Sequence, residues 1–272
     1  MTAPLLLIGC GKMGGAMLAG WLESGEADGG VHVVEPFEEA TKAFANHPKV
    51  TIYRSVDEVA PSLKPGFVIL AVKPQMMDEA LAPLSRFVAP ETCFLSIAAG
   101  KTIAYFESHL GANALIVRSM PNTPAAVGRG ISAYVANSGV NPAQKQTCHR
   151  LLEAVGEAVE ADAEDWMDAI TATSGSGPAY IFYLIEAMAS AGTKLGLPEE
   201  FAMRLARSTV AGAGELARQS EEPASQLRIN VTSPGGTTAA ALEVLMDPES
   251  GVQPIYDAAL KAAADRSREL AG

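Results

Sequence analysis

Apolar positions follow two different rhythms along this chain. In the first part, short unbroken apolar runs recur at Leu5–Ile8, Val31–Val34, Val68–Val72, Cys93–Ile97 and Ala114–Val117, separated by segments long enough for a helix. Runs of that length, rich in Leu, Ile and Val, predict strands covered on both faces, as in a parallel sheet. Ala16–Leu22 reads as a helix after the first run. A last pair of strands is expected at Ile131–Val135 and Ala154–Val159, flanking a helix near Pro142–Leu152. Strands alternating with helices imply βαβ units.

After about Asp162 the strand-like runs stop, and helical segments are expected at about 164–174, 178–195, 198–219, 224–230, 237–246 and 253–270. Pro178 and Pro198 stand where a first helical turn tolerates proline, and Gly196 is placed to end the preceding helix. The pattern divides the chain into residues 1–162, which carry the sheet, and residues 163–272, all helical. Tyr180–Ala191 is apolar nearly all round, and such a helix must be covered on every side. A helical domain this small has difficulty supplying that cover alone, so a second subunit is the expected source.

Composition narrows the function. The formal charge of −11 argues against a nucleic-acid partner, whose phosphates require a basic surface. No stretch approaches the ~20 apolar residues of a membrane span. The N-terminus does not read as a signal peptide, and a cytoplasmic protein is expected. Cys10, Cys93 and Cys148 are odd in number and lack CxxC pairing, which points to a reducing compartment without disulfides or zinc. His32, His47, His109 and His149 show no ligand spacing, so no metal is expected.

Two glycine-rich segments carry the candidate chemistry. Gly9, Gly11 and Gly14 form a GxGxxG motif between the first strand and the first helix, the context in which that motif binds a dinucleotide. Gly9 would make the tight turn, Gly11 would admit the pyrophosphate, and Gly14 would let helix and strand pack closely. Lys12 and Met13 stand within the motif. Glu35, 21 positions beyond Gly14, ends the second strand, where an acid hydrogen-bonds the adenosine ribose. Ala71, Val72, Lys73 and Pro74 follow a later strand at the same sheet edge and are expected to lay backbone against the cofactor. Met120 and Asn122, in a turn held by two prolines, are expected near the reacting carbon.

The second segment, Asn230–Thr238, offers hydroxyls at Thr232, Ser233, Thr237 and Thr238 and glycines at 235 and 236, ahead of the helix-forming run Ala239–Leu245. A helix cap needs one hydroxyl or one glycine. The surplus points to a receptor for a small carboxylate at the positive end of a helix.

Taken together, GCGKMG, AVKPQ, MPNTP, SGSGPAY (Ser174–Tyr180) and VTSPGGTT resemble pyrroline-5-carboxylate reductase, in that family's order and over essentially the whole chain. The resemblance implies an α/β fold: an N-terminal Rossmann dinucleotide-binding domain followed by an all-helical dimerisation domain that interlocks with a partner subunit, often within a decamer. It implies NAD(P)H-dependent reduction of 1-pyrroline-5-carboxylate to L-proline. It places Ser174, Gly175, Ser233, Gly235, Gly236, Thr237 and Thr238 against the substrate, with Thr238 nearest the ring nitrogen, and Asn230 near the nicotinamide. Glu35 followed by Pro36, with no arginine nearby, does not look like a clamp for a 2′-phosphate and favours NADH.

Three rivals remain at this stage. A β-hydroxyacid dehydrogenase would use a lysine shortly after a glycine-rich segment, and Gly175–Gly177 is followed by none until Lys194. A non-catalytic dinucleotide sensor would show a damaged substrate loop. An imine reductase for six-membered rings would differ only in pocket depth.

Overall fold

The computed structural model describes residues 3–271. Its strands are β1 (Leu5–Ile8), β2 (Val31–Val34), β3 (Val50–Tyr53), β4 (Phe67–Leu70), β5 (Cys93–Ser96), β6 (Leu115–Met120), β7 (Gly130–Ala136) and β8 (Gly156–Glu160). Among the described residues these form one sheet in the order β3-β2-β1-β4-β5-β6-β7-β8. The helices of this part are α1 (Lys12–Ser24), α2 (Glu38–Thr41), α3 (Met77–Leu81), α4 (Ile103–Leu110), α5 (Pro142–Glu153) and α6 (Met167–Ile170). Those that follow are α7 (Gly177–Lys194), α8 (Glu199–Gln219), α9 (Ala224–Asn230), α10 (Thr237–Leu245) and α11 (Val252–Ala271).

Alternate residues of each strand enter opposite faces. Leu5 and Leu7 join a core with Trp21, Val33, Cys148 and Leu151 on one side of the sheet. Leu6 and Ile8 join Val68, Phe94, Phe106 and Ile116 on the other. The indole of Trp21, fully buried, donates to the Leu151 carbonyl at 2.7 Å. Burial on both faces is why the strands read as continuous apolar runs.

Three features depart from the sequence reading. The first is β3, which that reading does not name; it pairs parallel to β2, with Val34 opposite Tyr53. The second is the antiparallel pairing of β6 with β7, the remaining pairs being parallel. Residues 121–129, with the tight turn Thr123–Val127, link those two strands. A parallel return requires a dozen residues or more. The third is the helix expected over 164–174, which breaks into a 3₁₀ turn (Glu164–Trp166), α6, and a π turn (Thr171–Gly175). There the Thr171 hydroxyl donates to the Met167 carbonyl and the Ser174 hydroxyl to that of Ile170, at 2.7 and 3.0 Å. Such back-bonding to position i−4 loosens a helix, and π turns recur at functional sites.

By internal contact the chain falls into two compact units, Met1–Gly175 with Ala263–Gly272, and Ser176–Ala262. Residues 164–175 stay with the sheet because Glu164 accepts from the buried Arg118 guanidinium and from the Ile103 amide, both at 2.8 Å. Asp168 accepts from the Ser267 hydroxyl at 2.6 Å, tying the end of α11 to the same unit.

The second unit has almost no interior of its own. Among the described residues its core consists of Ala189, Ala202 and Ala206, with Ile185, Leu197 and Met203 partly buried around them. On α7, Phe182 is 59% and Tyr183 70% exposed, beside exposed Ile181 and Leu184.

Candidate active site

The glycine-rich turn forms as its residue types require. Gly9 has φ +92°, a backbone that side chains rarely adopt, and a Cβ there would stand 2.8 Å from the Ala71 carbonyl oxygen. A Cβ on Gly14 would stand 2.4 Å from the Gly9 carbonyl oxygen, so strand and helix meet there backbone to backbone. Around Gly11 nothing lies within 4 Å of that position, leaving space for a ligand to approach the chain. Substituting Gly14→Ala is expected to push the turn out of place. Overpacking of this kind costs about 1–3 kcal/mol, and calorimetric dinucleotide affinity should fall by about 5- to 150-fold; unchanged affinity would show that the turn does not hold the ligand.

Gly9 and Gly11 open into a cleft of about 570 Å³ that Glu35, Ala71, Val72 and Lys73 also line. The volume falls in the range of small-molecule and cofactor sites. Pro74 follows directly and opens a short turn. Lys12 is exposed at the start of α1, whereas the Met13 side chain packs against the sheet core. Glu35 is buried, with Oε2 accepting the Cys10 amide at 2.7 Å and Oε1 the Phe37 amide at 3.0 Å. Its carboxylate therefore braces the glycine turn while it faces the cleft. Burial, and then the charge of Glu35, push the Cys10 thiol up to about 11. Burial pushes Cys93 up to about 12. Thiols this far from ionisation are not nucleophiles at neutral pH.

The expectation that no arginine lies near Glu35 is corrected. Arg54 lines the same cleft, and its Nη1 donates to the Glu35 carbonyl oxygen at 3.1 Å. Phe37 and Met76, both exposed and both lining the cleft, were also missed. The available signal was the β-branched and aromatic run Val50–Tyr53, a strand pattern that would have put Arg54 at the ligand-binding edge.

Met120 and Asn122, at the end of β6, meet the π turn. A Cβ on Gly175 would stand 2.3 Å from the Met120 methyl. The Asn122 amide nitrogen donates to the Ser174 carbonyl at 3.2 Å, and its oxygen accepts the Ile131 amide at 3.0 Å. Asn122 is thus a brace between two segments, with one N–H left for a ligand.

In the second unit, Ser233–Gly236 is a tight turn closed by Gly236 N–H donating to the Ser233 carbonyl at 3.0 Å, with Gly235 at φ +67°. Gly236 caps α10 without a side-chain bond. The first helical bond runs from the Ala240 amide to the Gly236 carbonyl, so the amides of Thr237, Thr238 and Ala239 precede the helical ladder and are available as donors. Ser233 and Thr237 are exposed and Thr238 is half-buried. Asn230 is engaged within its own unit, donating to Glu222 at 2.9 Å and accepting from Gln226 at 2.8 Å.

A glycine turn at the edge of a sheet with cores on both faces, followed by an open helical unit, defines a dinucleotide-binding oxidoreductase with a separate self-association unit. Comparison with known proteins agrees at both ends. Residues 5–100 match the model described as NADP oxidoreductase coenzyme F420-dependent, and residues 164–270 match pyrroline-5-carboxylate reductase dimerisation. The chain is 39% identical to the pyrroline-5-carboxylate reductase of Pseudomonas aeruginosa, over 99% of this chain and 97% of that protein. It superimposes on the Coxiella burnetii pyrroline-5-carboxylate reductase structure with TM-score 0.91 at 34% identity, covering all of both chains. The Plasmodium falciparum pyrroline carboxylate reductase, solved with NADP bound, matches with TM-score 0.80 at 29% identity, over 99% of this chain and 98% of that one. The chain belongs to the pyrroline-5-carboxylate reductase family.

Proposed function

We propose that this chain catalyses the NAD(P)H-dependent reduction of 1-pyrroline-5-carboxylate to L-proline, the last step of proline biosynthesis, in the cytoplasm. The observation that carries this reading is the uncapped start of α10 behind the Ser233–Gly236 turn, in a chain that also holds a glycine-turn cleft and belongs to this family.

In this reading Gly9, Gly11, Gly14, Glu35 and Ala71–Pro74 hold the dinucleotide, and the reduced nicotinamide, when bound, supplies the hydride. Gly11 fits that role because the space beside it is open. Residues 163–272 act as the substrate and dimerisation domain. The amides that open α10 receive the substrate carboxylate, the Thr238 hydroxyl accepts from the ring N–H, and Ser174 and Gly175 bound the substrate. The cyclic imine is basic enough to bind protonated, so addition of hydride at carbon yields the amine directly and the protein needs no strong acid. Orientation of the reactants then supplies most of the acceleration, with fixed dipoles adding to it. The exposed apolar faces of the second unit pair with a second copy as an interlocked dimer, which can assemble further into a decamer.

Glu35 tilts cofactor choice toward NADH. Like charges about 5 Å apart repel by about 1–3 kcal/mol at an effective dielectric of about 20–80, or about 5- to 150-fold in affinity. Steady-state assays of 1-pyrroline-5-carboxylate with each reduced cofactor test both claims: turnover is expected with either, at a lower KM for NADH. Glu35→Gln removes the charge, keeps an oxygen for one of the two amides that Glu35 accepts, and should improve NADPH use. Absence of turnover would overturn the function, and an unaltered enzyme that prefers NADPH would overturn the tilt.

A further inference from the structure

The cleft carries a charged side chain beside Glu35 whose own contacts leave it available. Because Val34 pairs with Tyr53, the residues that follow them, Glu35 and Arg54, are neighbours at the ends of β2 and β3. Nη1 of Arg54 is fixed on the Glu35 carbonyl oxygen. Nη2 has only a 4.0 Å approach to Glu38, whose side chain is 89% exposed. Exposed pairs of that kind hold a side chain weakly. The carboxylate of Glu35, in contrast, is already engaged by two amides. Lys73, the other cation lining the cleft, follows β4 and is separated from Arg54 by β2 and β1 in the strand order.

We propose that Arg54 determines cofactor specificity at the adenosine end of the cleft by receiving the 2′-phosphate of NADPH, so that the chain binds both dinucleotides despite Glu35. The proposal rests on the dinucleotide reading of the cleft. An acid after β2 reads ribose hydroxyls, and an arginine nearby is the group that accommodates a 2′-phosphate. The planar guanidinium fork matches phosphate oxygens in a way that a lysine ammonium does not. With one nitrogen anchored on backbone, the fork loses little freedom when the other engages an anion.

Calorimetric titration of the full-length protein with NADPH and with NADH tests this without turnover. Arg54→Gln is expected to weaken NADPH about 10- to 150-fold, the range of a charge-assisted hydrogen bond, and to leave NADH within about twofold. Arg54→Lys should recover part of the NADPH affinity. Added salt should weaken NADPH more than NADH in the unaltered protein, and that difference should vanish in Arg54→Gln. A parallel pair of titrations with 2′,5′-ADP and 5′-ADP should show the same contrast. Equal losses for both dinucleotides would mean that Arg54 only supports the fold of the cleft, which overturns the proposal, as would unchanged NADPH affinity. If neither dinucleotide binds the unaltered protein, the cleft reading falls and the proposal with it. If both bind with this contrast but 1-pyrroline-5-carboxylate is not reduced, the proposed reaction fails while the assignment of Arg54 stands.

Discussion

Ile181→Asp should abolish soluble, assembled protein. Ile181 lies on α7, in a row with Phe182, Tyr183 and Leu184, all exposed in the single chain. Three buried alanines are the core of this unit among the described residues. That is too little apolar burial to offset the ordering of its helices, since each buried methylene contributes only about 0.8 kcal/mol and each ordered residue costs about 1–2 kcal/mol of backbone entropy. A second copy covering α7 supplies the missing burial, and a two-fold interface places the altered residue in it from both sides. An unpaired charge buried there costs about 3–5 kcal/mol, against about 0.5 kcal/mol or less for an ordinary surface substitution. Light scattering at micromolar concentration should therefore find aggregate or unfolded chain. A soluble, active monomer would rule this face out as the interface.

Thr238→Ala should lower kcat/KM by about 10- to 150-fold, the loss of one hydrogen bond to a charged group, about 1.5–3 kcal/mol. The turn that presents Thr238 does not depend on its hydroxyl. It is held by the Gly236–Ser233 bond, by the Thr232 hydroxyl donating to the Arg228 carbonyl at 2.6 Å, and by the positive φ of Gly235. The amides that open α10 also survive the change, so the carboxylate should still dock. Most of the loss is then expected in kcat rather than KM, with Thr238→Ser recovering much of it. Dinucleotide affinity measured by calorimetry should be unaltered. Activity within twofold of the parent, or a loss confined to cofactor binding, would sink the assignment.

Sequence reading succeeded where neighbours along the chain decide structure. The turn at Gly9–Gly14 depends on glycines at fixed spacing between an apolar run and a helix, all of it local. The Ser233–Gly236 turn and the bare start of α10 are equally local, and proline and glycine positions marked most ends of the later helices. The apolar surface of α7 also followed from composition alone, since no single face of it was polar enough to meet water.

What escaped was set by partners far apart in sequence. Arg54 is brought beside Glu35 by the register of β2 against β3, a short strand pair whose alignment only the assembled sheet determines. That Glu35 also accepts the Cys10 amide depends on β1 and β2 lying side by side. Residues 164–175 have helical character, and the buried Arg118, 46 positions away, binds Glu164 and ties them to the sheet unit. The sequence by itself therefore determined most of the elements, the glycine turns and the family, because those rest on backbone conformation and local pattern. Only the tertiary structure decided which charges share the cleft and what holds residues 164–175 to the sheet, because hydrogen bonds and ion pairs form between atoms that the chain brings together only when it folds.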